Sequence, residues 1–508
     1  MAALELRGIT KRFPGVLAND GISLTVPAGQ VHALIGENGA GKSTLMSILY
    51  GLLRPDAGHI LLDGAERTFA SSQDAIRAGL GMVFQSFKLF EEHTVVENVV
   101  FGAEPRRGWL LDRRRARREV AGISRTFGFD LPLDALVRDL PVGVRQRVEI
   151  VKALYRRAEV LILDEPTAVL TPQEAEALFA VLRSLAASGR SVIFITHKLE
   201  EVMAVADRVT VLRDGRVVAT HDVARTSPRK ISAEMTGREV TFAERRAPRA
   251  PGRVVLEVSG LRAAAGDGTR LDGVSFQVRA GEIAGIAGVA GNGQDVLAAA
   301  LAGHAAVTGG TVTLLGHDVT RAGNAARRAA GLGHIPEDRN RDGTAAQGDA
   351  IVNLAIGYHR EPPLLRSGRL RSRELRAHAE RLIGRFGVRI ASPGTAVGTL
   401  SGGNAQKLVV ARELGRPTDF LLAEQPTRGV DIGSIEAIHA ELDAYRARGG
   451  AVLLISSELS EIRNLCDRVL VMFEGRLTAD LRTDDVTDTG LGLLMTGLSA
   501  DDHQGAPS

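Results

Sequence analysis

Gly36-Glu37-Asn38-Gly39-Ala40-Gly41-Lys42-Ser43-Thr44 sets three glycines, a lysine and two hydroxyls at the spacing of a phosphate-binding loop. Glycines there let successive backbone N–H groups point at phosphate oxygens, and a helix opening behind them adds its dipole. Lys42 would reach the β- and γ-phosphates, and the Ser43 hydroxyl would ligate Mg²⁺. Downstream, Leu161-Ile162-Leu163-Asp164-Glu165-Pro166 is an apolar run that ends in paired carboxylates. Asp164 can hold Mg²⁺ through water, and Glu165 can polarise an attacking water as general base. Alone, such a pair reads as a solvated loop. Its place after the phosphate loop and before a second apolar strand turns the reading toward hydrolysis of a nucleoside triphosphate.

These groups need a scaffold that brings strand ends together. Val31 to Ile35 is a short apolar run leading into the glycines, and it reads as a buried strand. Ser43 to Tyr50 places Leu45, Ile48 and Leu49 on one helical face, with Gly51 as the stop. Val160 to Leu163 and Val192 to Ile195 are further strands, each ending in polar residues where parallel sheets keep their ligands. Thr171-Pro172-Gln173-Glu174 has the form of a capping box with Pro at the first helical position. The stretches 85–140 and 337–400 are rich in helix formers, and each is expected to build a mainly helical subdomain.

A damaged copy of the loop recurs at Gly288-Val289-Ala290-Gly291-Asn292-Gly293-Gln294-Asp295. Gly36 maps to Gly288 and Gln85 to Glu337 with a shift of 252; Leu140, Asp164, His197 and Asp207 map to Leu400, Glu424, Ser457 and Asp467 with a shift of 260. So long a period indicates a duplicated domain, not a solenoid. The expected organisation is a first domain over 1–243, a polar, Pro-containing linker over 244–253, a second domain over 254–498 and a frayed tail over 499–508.

Bulk composition agrees with two α/β domains. The chain has 508 residues, too many for one core, with 44% hydrophobic and 24% charged residues. A net charge of +3 is weak evidence for an anionic partner, and no nucleic acid is expected. Cys466 is the sole cysteine, so an intrachain disulfide is excluded and a reducing interior fits. Met1-Ala2-Ala3-Leu4-Glu5 lacks the basic-then-apolar form of a signal peptide, and no run approaches the ~20 apolar residues of a bilayer span.

The order of glycine loop, Gln85, the segment Leu140 to Arg147, Asp164-Glu165 and His197 resembles the nucleotide-binding domain of ABC ATPases, in both halves and over nearly the whole chain. The resemblance implies two tandem P-loop domains, each a RecA-like mixed sheet with a helical subdomain, that use ATP and Mg²⁺. In that family the glutamine matching Gln85 touches the Mg²⁺ and water site and the transport partner. The histidine matching His197 contacts the γ-phosphate, and the aromatic matching Phe13 stacks on adenine. By itself Phe13 fits a core or turn position equally well, and a lone His197 fits packing.

Family members bind ATP between two domains, the glycine loop of one facing a Leu-Ser-Gly-Gly signature of the other. This chain departs from that pattern in an ordered way. The second half keeps Leu400-Ser401-Gly402-Gly403 and Asp431, whereas the first has Leu140-Pro141-Val142-Gly143 and Thr171. Pro141 lacks the hydroxyl and the N–H that would meet a phosphate. The second half replaces the lysine by Gln294, the hydroxyl by Asp295, the carboxylate pair by Glu424-Gln425 and the histidine by Ser457. One composite site thus draws Phe13, Lys42, Ser43, Gln85, Asp164, Glu165 and His197 from the first half and Ser401, Gly402, Gly403 and Asp431 from the second, all intact. The other is altered at nearly every member. Substitutions sorted by composite site point to head-to-tail pairing within one chain; a dimer of chains satisfies the sorting too.

A tandem pair with one degenerate site and a short linker resembles the ATPase subunit of sugar-type importers, and Asp164 to Glu174 with Gly291-Asn292-Gly293-Gln294 is like the nucleoside and simple-sugar branch. That implies integral permease subunits, an extracytoplasmic binding protein and a peripheral place on the cytoplasmic membrane face. A tandem ATPase acting on ribosomes is the rival; it would keep both composite sites intact and carry a long charged inter-domain helix. Gln85 and Glu337 are the expected coupling residues, with a surface ion-pair loop the alternative for Glu337-Asp338-Arg339. The basic clusters Arg113-Arg114-Arg115, Arg117-Arg118 and Arg366 to Arg381 read as solvated helix faces, with lipid headgroups or permease loops as the other option.

Overall fold

Val31-His32-Ala33-Leu34-Ile35-Gly36 offers water almost nothing, and it forms a strand buried along its whole length in the interior of a six-stranded sheet. Its one polar side chain, His32, is paired inside the sheet with the Thr210 hydroxyl at 2.8 Å. The computed structural model describes residues 2–237, 252–495 and Gly497, apart from Gly15, Asn38, Gln85, Ser86, Ala168, Val169, Thr171, His197, Gly266, Asp267 and Ala290. It divides into two compact units, Met1–Val240 and Thr241–Ser508. Most of the linker expected over 244–253, and all of the tail over 499–508, lies outside the described residues.

In the first unit the large sheet runs in the order Arg216–Asp222, Arg208–Arg213, Val31–Gly36, Ser191–Ile195, Val160–Asp164, Leu80–Val83. Only Arg216–Asp222 is antiparallel to its neighbour. Side chains alternate between faces, so each strand feeds two cores. Leu34, Ile162, Ile193 and Ile195 pack with the helix Lys42–Leu49. Leu161, Leu163, Val192 and Phe194 pack with the helices Val142–Tyr155 and Pro172–Ala187. A separate antiparallel sheet, Val16–Pro27, Ala2–Phe13, Ala57–Leu62 and Ala65–Arg67, covers the phosphate-loop side.

The second unit repeats both sheets. Its large sheet runs Leu332–Ile335, Phe420–Glu424, Ala451–Ile455, Ile283–Ala287, Arg468–Phe473, Arg476–Arg482. Each unit also carries a helical region: Val95–Val100, Arg113–Thr126 and Val142–Tyr155 in the first, Ala350–Ala355, Ser372–Arg385 and Gly402–Leu414 in the second. Inside each region a buried amide organises the loop before the first helix. Asn98 bonds the Phe90 N–H and the Phe90, His93 and Thr94 carbonyls. Asn353 does the same with Ala345, Gly348 and Asp349.

Boundaries differ from the sequence expectation by a residue or so. The first helix spans Lys42–Leu49 and is closed by Tyr50, whose N–H reaches the Met46 carbonyl; Gly51, at φ +73°, comes one residue later and its N–H takes the Ile48 carbonyl. Pro172 does open its helix, but Thr171 lies outside the described residues. Not anticipated were two small hairpins within the helical regions, Arg106–Arg107 with Leu110–Leu111 and Leu365–Arg366 with Arg369–Leu370.

Candidate active site

The glycines of the first loop are there for contact as well as for turning. A Cβ on Gly36 would stand 2.3 Å from the Leu212 carbonyl oxygen. One on Gly41 would stand 2.3 Å from the Ala18 oxygen and 2.5 Å from Asn19 Nδ2, and Gly41 has φ +96°. Asn19 Nδ2 donates to the Gly41 carbonyl at 3.0 Å, so the residue that caps the helix is pinned to the antiparallel sheet. Gly39, at φ +87°, has open space around it. The Ala40 N–H closes a turn on the Glu37 carbonyl at 3.0 Å. Ser43 is exposed and Thr44 half-buried in the first turn of the helix.

Lys42 is buried inside this loop, its ammonium 2.6 Å from the Gly36 oxygen and 3.1 Å from the Glu37 oxygen. Burial pushes its pKa down, while the charges of Glu165, Asp164 and Glu37 pull it back up. Asp164 is held above the usual carboxylate range by burial first and by the Glu165 charge second, with Lys42 opposing. A cation and two carboxylates therefore share one poorly hydrated place, as a polyphosphate with a divalent cation requires.

Glu165 leaves its strand with φ +46°, a left-handed conformation for a residue with a side chain, and its N–H bonds the Ile195 carbonyl at 3.0 Å. Gln425, its counterpart, has φ +44° and bonds the Ile455 carbonyl at 2.7 Å. The strained exit thus belongs to the duplicated fold and precedes any difference in chemistry. Behind it, the buried Glu201 accepts from the Thr167 hydroxyl at 2.5 Å and the Thr196 hydroxyl at 2.6 Å, tying two strand ends together.

Phe13 ends its strand at the surface, 37% exposed, with the Lys11 ammonium 5.9 Å from the ring centre. It is not a core residue. Gln85, His197 and Asn38, named above from sequence, lie outside the described residues.

In the second unit, Ser401 caps the helix Gly402–Leu414, and its hydroxyl accepts from Asn404 Nδ2 at 2.9 Å. A Cβ on Gly403 would stand 2.5 Å from Asp431 Oδ2 and 2.6 Å from Ser434 Oγ. Asp431 in turn caps the helix Ile432–Ala447, accepting from the Ser434 N–H at 2.8 Å and its hydroxyl at 2.9 Å. Arg339 crosses to the Arg428 carbonyl at 2.8 Å and the Gly429 carbonyl at 3.3 Å, within reach of Gly402. Ser401, Gly402, Gly403 and Asp431 therefore form one rigid tip. Arg339 was visible in sequence only as part of a charged loop. Glu337 makes an ion pair with Arg428, which favours the surface-pair reading of that loop.

The second glycine loop is built differently. Among the described residues, Gln294 Nε2 reaches the Val289 carbonyl alone, at 3.2 Å. Asn292, where the first unit has Ala40, donates to the Met495 oxygen at 3.2 Å, accepts from the Glu474 N–H at 3.2 Å and receives the Gly475 N–H on its own carbonyl at 2.9 Å. Glu424 is taken up by His334 Nε2 at 2.5 Å, and the His304 ring lies 6.0 Å from that of His334. Gln425 Oε1 accepts from the Ser457 N–H and hydroxyl at 3.1 and 3.2 Å. Gln294, Glu424 and Gln425, which stand where the first unit has its lysine and paired carboxylates, are thus satisfied by the protein itself. Asn292 was visible in sequence only as a member of the altered loop, and His334 was not singled out: their partners stand 203 and 90 residues away, beyond any local pattern.

Comparison with known proteins finds the family described as ABC transporter at residues 19–168 and 271–428. A nucleoside import ATP-binding protein of Lactococcus lactis is 42% identical over 97% of this chain and 98% of its own length. A glucose import ATP-binding protein of Haloferax volcanii is 46% identical, covering 97% and 96%. A guanosine import ATP-binding protein of Bacillus subtilis is 43% identical, covering 97% of each. Among solved structures, an archaeal ribosome recycling factor in complex with a ribosomal stalk protein aligns with a TM-score of 0.64 and 19% identity, over 94% of this chain and 90% of that one. That likeness is one of fold alone. No helix among the described residues is long and apolar enough to cross a membrane.

Proposed function

The chain belongs to the ABC transporter family, and from that membership we propose that it is the ATP-hydrolysing subunit of an importer of nucleosides or simple sugars. The observation that carries the reading is similarity at 42–46% identity, end to end, to import ATP-binding proteins for nucleosides, guanosine and glucose. The ribosomal alternative has only the shared fold behind it.

On this reading the first unit holds ATP with the N–H groups of Gly39 to Thr44, and Lys42 exchanges the Gly36 and Glu37 carbonyls for phosphate oxygens. Phe13, exposed at its strand end, offers a face to adenine. Ser43, Gln85 and Asp164 hold Mg²⁺, which offsets phosphate charge when bound. Glu165 takes the proton of the attacking water, with His197 at the γ-phosphate. Ser401, Gly402, Gly403 and Asp431 supply the opposing wall. The site whose groups are occupied by His334, Asn292 and Ser457 binds nucleotide weakly or without turnover.

Binding of ATP joins the two units and hydrolysis releases them, and the helical regions pass this motion to integral permease subunits at the cytoplasmic face of the membrane. An extracytoplasmic binding protein delivers the solute. The test is co-purification with candidate permease subunits from the same genome, followed by ATPase assays over nucleosides and monosaccharides. Stimulation by one of these solutes supports the proposal. Failure to assemble with any permease, together with ribosome-stimulated hydrolysis, would sink it.

A further inference from the structure

Trp109 is the only tryptophan of the chain, and it is fully exposed. It stands with Gly108 at the turn between Arg106–Arg107 and Leu110–Leu111, and the adjacent Leu110 is 77% exposed. A single exposed apolar residue is ordinary. Two of them side by side at the tip of a two-residue turn, one an indole, are not accounted for by the fold. The duplicated hairpin provides the control. Its turn is Ser367-Gly368, followed by Arg369, so the same hairpin closes with a polar turn and exposes Leu370 without an aromatic beside it.

The surroundings are basic. Arg106 and Arg107 lie on the hairpin, and Arg114 and Arg118 on the helix Arg113–Thr126 that follows it; all four are exposed. Among the described residues none of the four has a carboxylate within ion-pair distance. Arg113, Arg115 and Arg117, by contrast, pair with Glu97, Glu119 and Asp134. An indole and a leucine at a tip, with unpaired guanidinium groups on the same hairpin and on the helix that follows it, match the boundary of an anionic bilayer. There the ring sits at headgroup depth while the arginines meet phosphate.

We propose that the 106–111 hairpin is a lipid-contact element that inserts Trp109 and Leu110 into the headgroup region of an anionic membrane. This goes beyond the transport reading, because it requires no permease and applies to the first unit alone. It gives the subunit a second hold on the membrane beside its permease contacts, and it makes the two units unequal toward lipid.

Trp109 reports on itself. Full-length protein is mixed with vesicles of phosphatidylcholine, or of phosphatidylcholine and phosphatidylglycerol in equal parts, and tryptophan emission and co-sedimentation are followed. With the anionic vesicles the emission moves to shorter wavelength and is quenched by brominated acyl chains; with neutral vesicles it stays put. The double variant Arg106→Gln, Arg107→Gln lowers partitioning about thirtyfold. Trp109→Ser weakens sedimentation and leaves ATP hydrolysis at the wild-type rate, which shows the chain is folded. The proposal is overturned if anionic vesicles leave the emission unchanged, if the protein sediments with Trp109 still unquenched, or if Trp109 is shielded only when the permease is added in detergent. The last result would mark a protein contact instead.

Discussion

The glycines of the first loop are not interchangeable, and the difference is measurable. Gly41 combines φ +96° with two backbone and side-chain neighbours inside 2.6 Å of a Cβ, whereas Gly39 has the unusual φ alone. Gly41→Ala is expected to cost about 3 kcal/mol and to abolish nucleotide binding; Gly39→Ala should cost only about 1–2 kcal/mol. Denaturant melts with a fluorescent nucleotide in parallel distinguish the two. His32 yields a second expectation. Burial, aided by Arg208, lowers its pKa to about 4 from an ordinary 6.5, so the folded chain keeps it neutral while the unfolded chain protonates it. Its contribution is fully present above pH 6.5 and is lost as pH falls toward 4. The loss amounts to about 3 kcal/mol, and a His32→Gln variant should show a flatter acid limb in stability against pH. At this scale the sequence was most readable where chemistry restricts residue type, as at Gly36, Lys42, Asp164 and Glu165. Phe13 needed coordinates to separate surface from core.

Strand ends are where this fold keeps its reactive groups, and the elements behind them hold the geometry. Glu201 is one such support: buried, it joins Thr167 to Thr196 across two strand exits, just beyond Asp164-Glu165. Its counterpart Glu461 accepts from Thr427 at 2.8 Å and pairs with His439 at 3.1 Å, so the device predates the divergence of the halves. Glu201→Gln is expected to cost about 1–3 kcal/mol and to lower kcat more than it raises KM, because the carboxylates lose alignment while the phosphate loop stays intact. Calorimetry and steady-state kinetics on one preparation check both parts. Parallel strands such as Val31–Gly36 were legible because burial on both faces leaves a continuous apolar run. The antiparallel sheet was not delineated, since Val16–Pro27 and Ala2–Phe13 alternate and carry bulges that blur the period. Likewise, the small hairpins at 106–111 and 365–370 rest on two-residue strands, too short to leave a pattern.

The molecule as a whole is a duplication whose copies have parted company in chemistry and kept their architecture. Both units retain the two sheets, the helical region and even the strained exit at Glu165 and Gln425, while the second loop is satisfied by Asn292 and its strand carboxylate by His334. Restoring one lost group should therefore achieve nothing, and Gln425→Glu is expected to add no hydrolytic activity. The proposal to be tested is that one hydrolytic site, drawing its loop from the first unit and its serine-glycine tip from the second, carries all turnover. Steady-state ATP hydrolysis by four single variants of comparable thermal stability tests it. Glu165→Gln and Ser401→Arg should each lose on the order of 10²–10³ in rate, and Gln425→Ala and Pro141→Arg should keep the wild-type rate. Substantial turnover in Glu165→Gln, or a loss with Pro141→Arg as deep as with Ser401→Arg, would contradict the account.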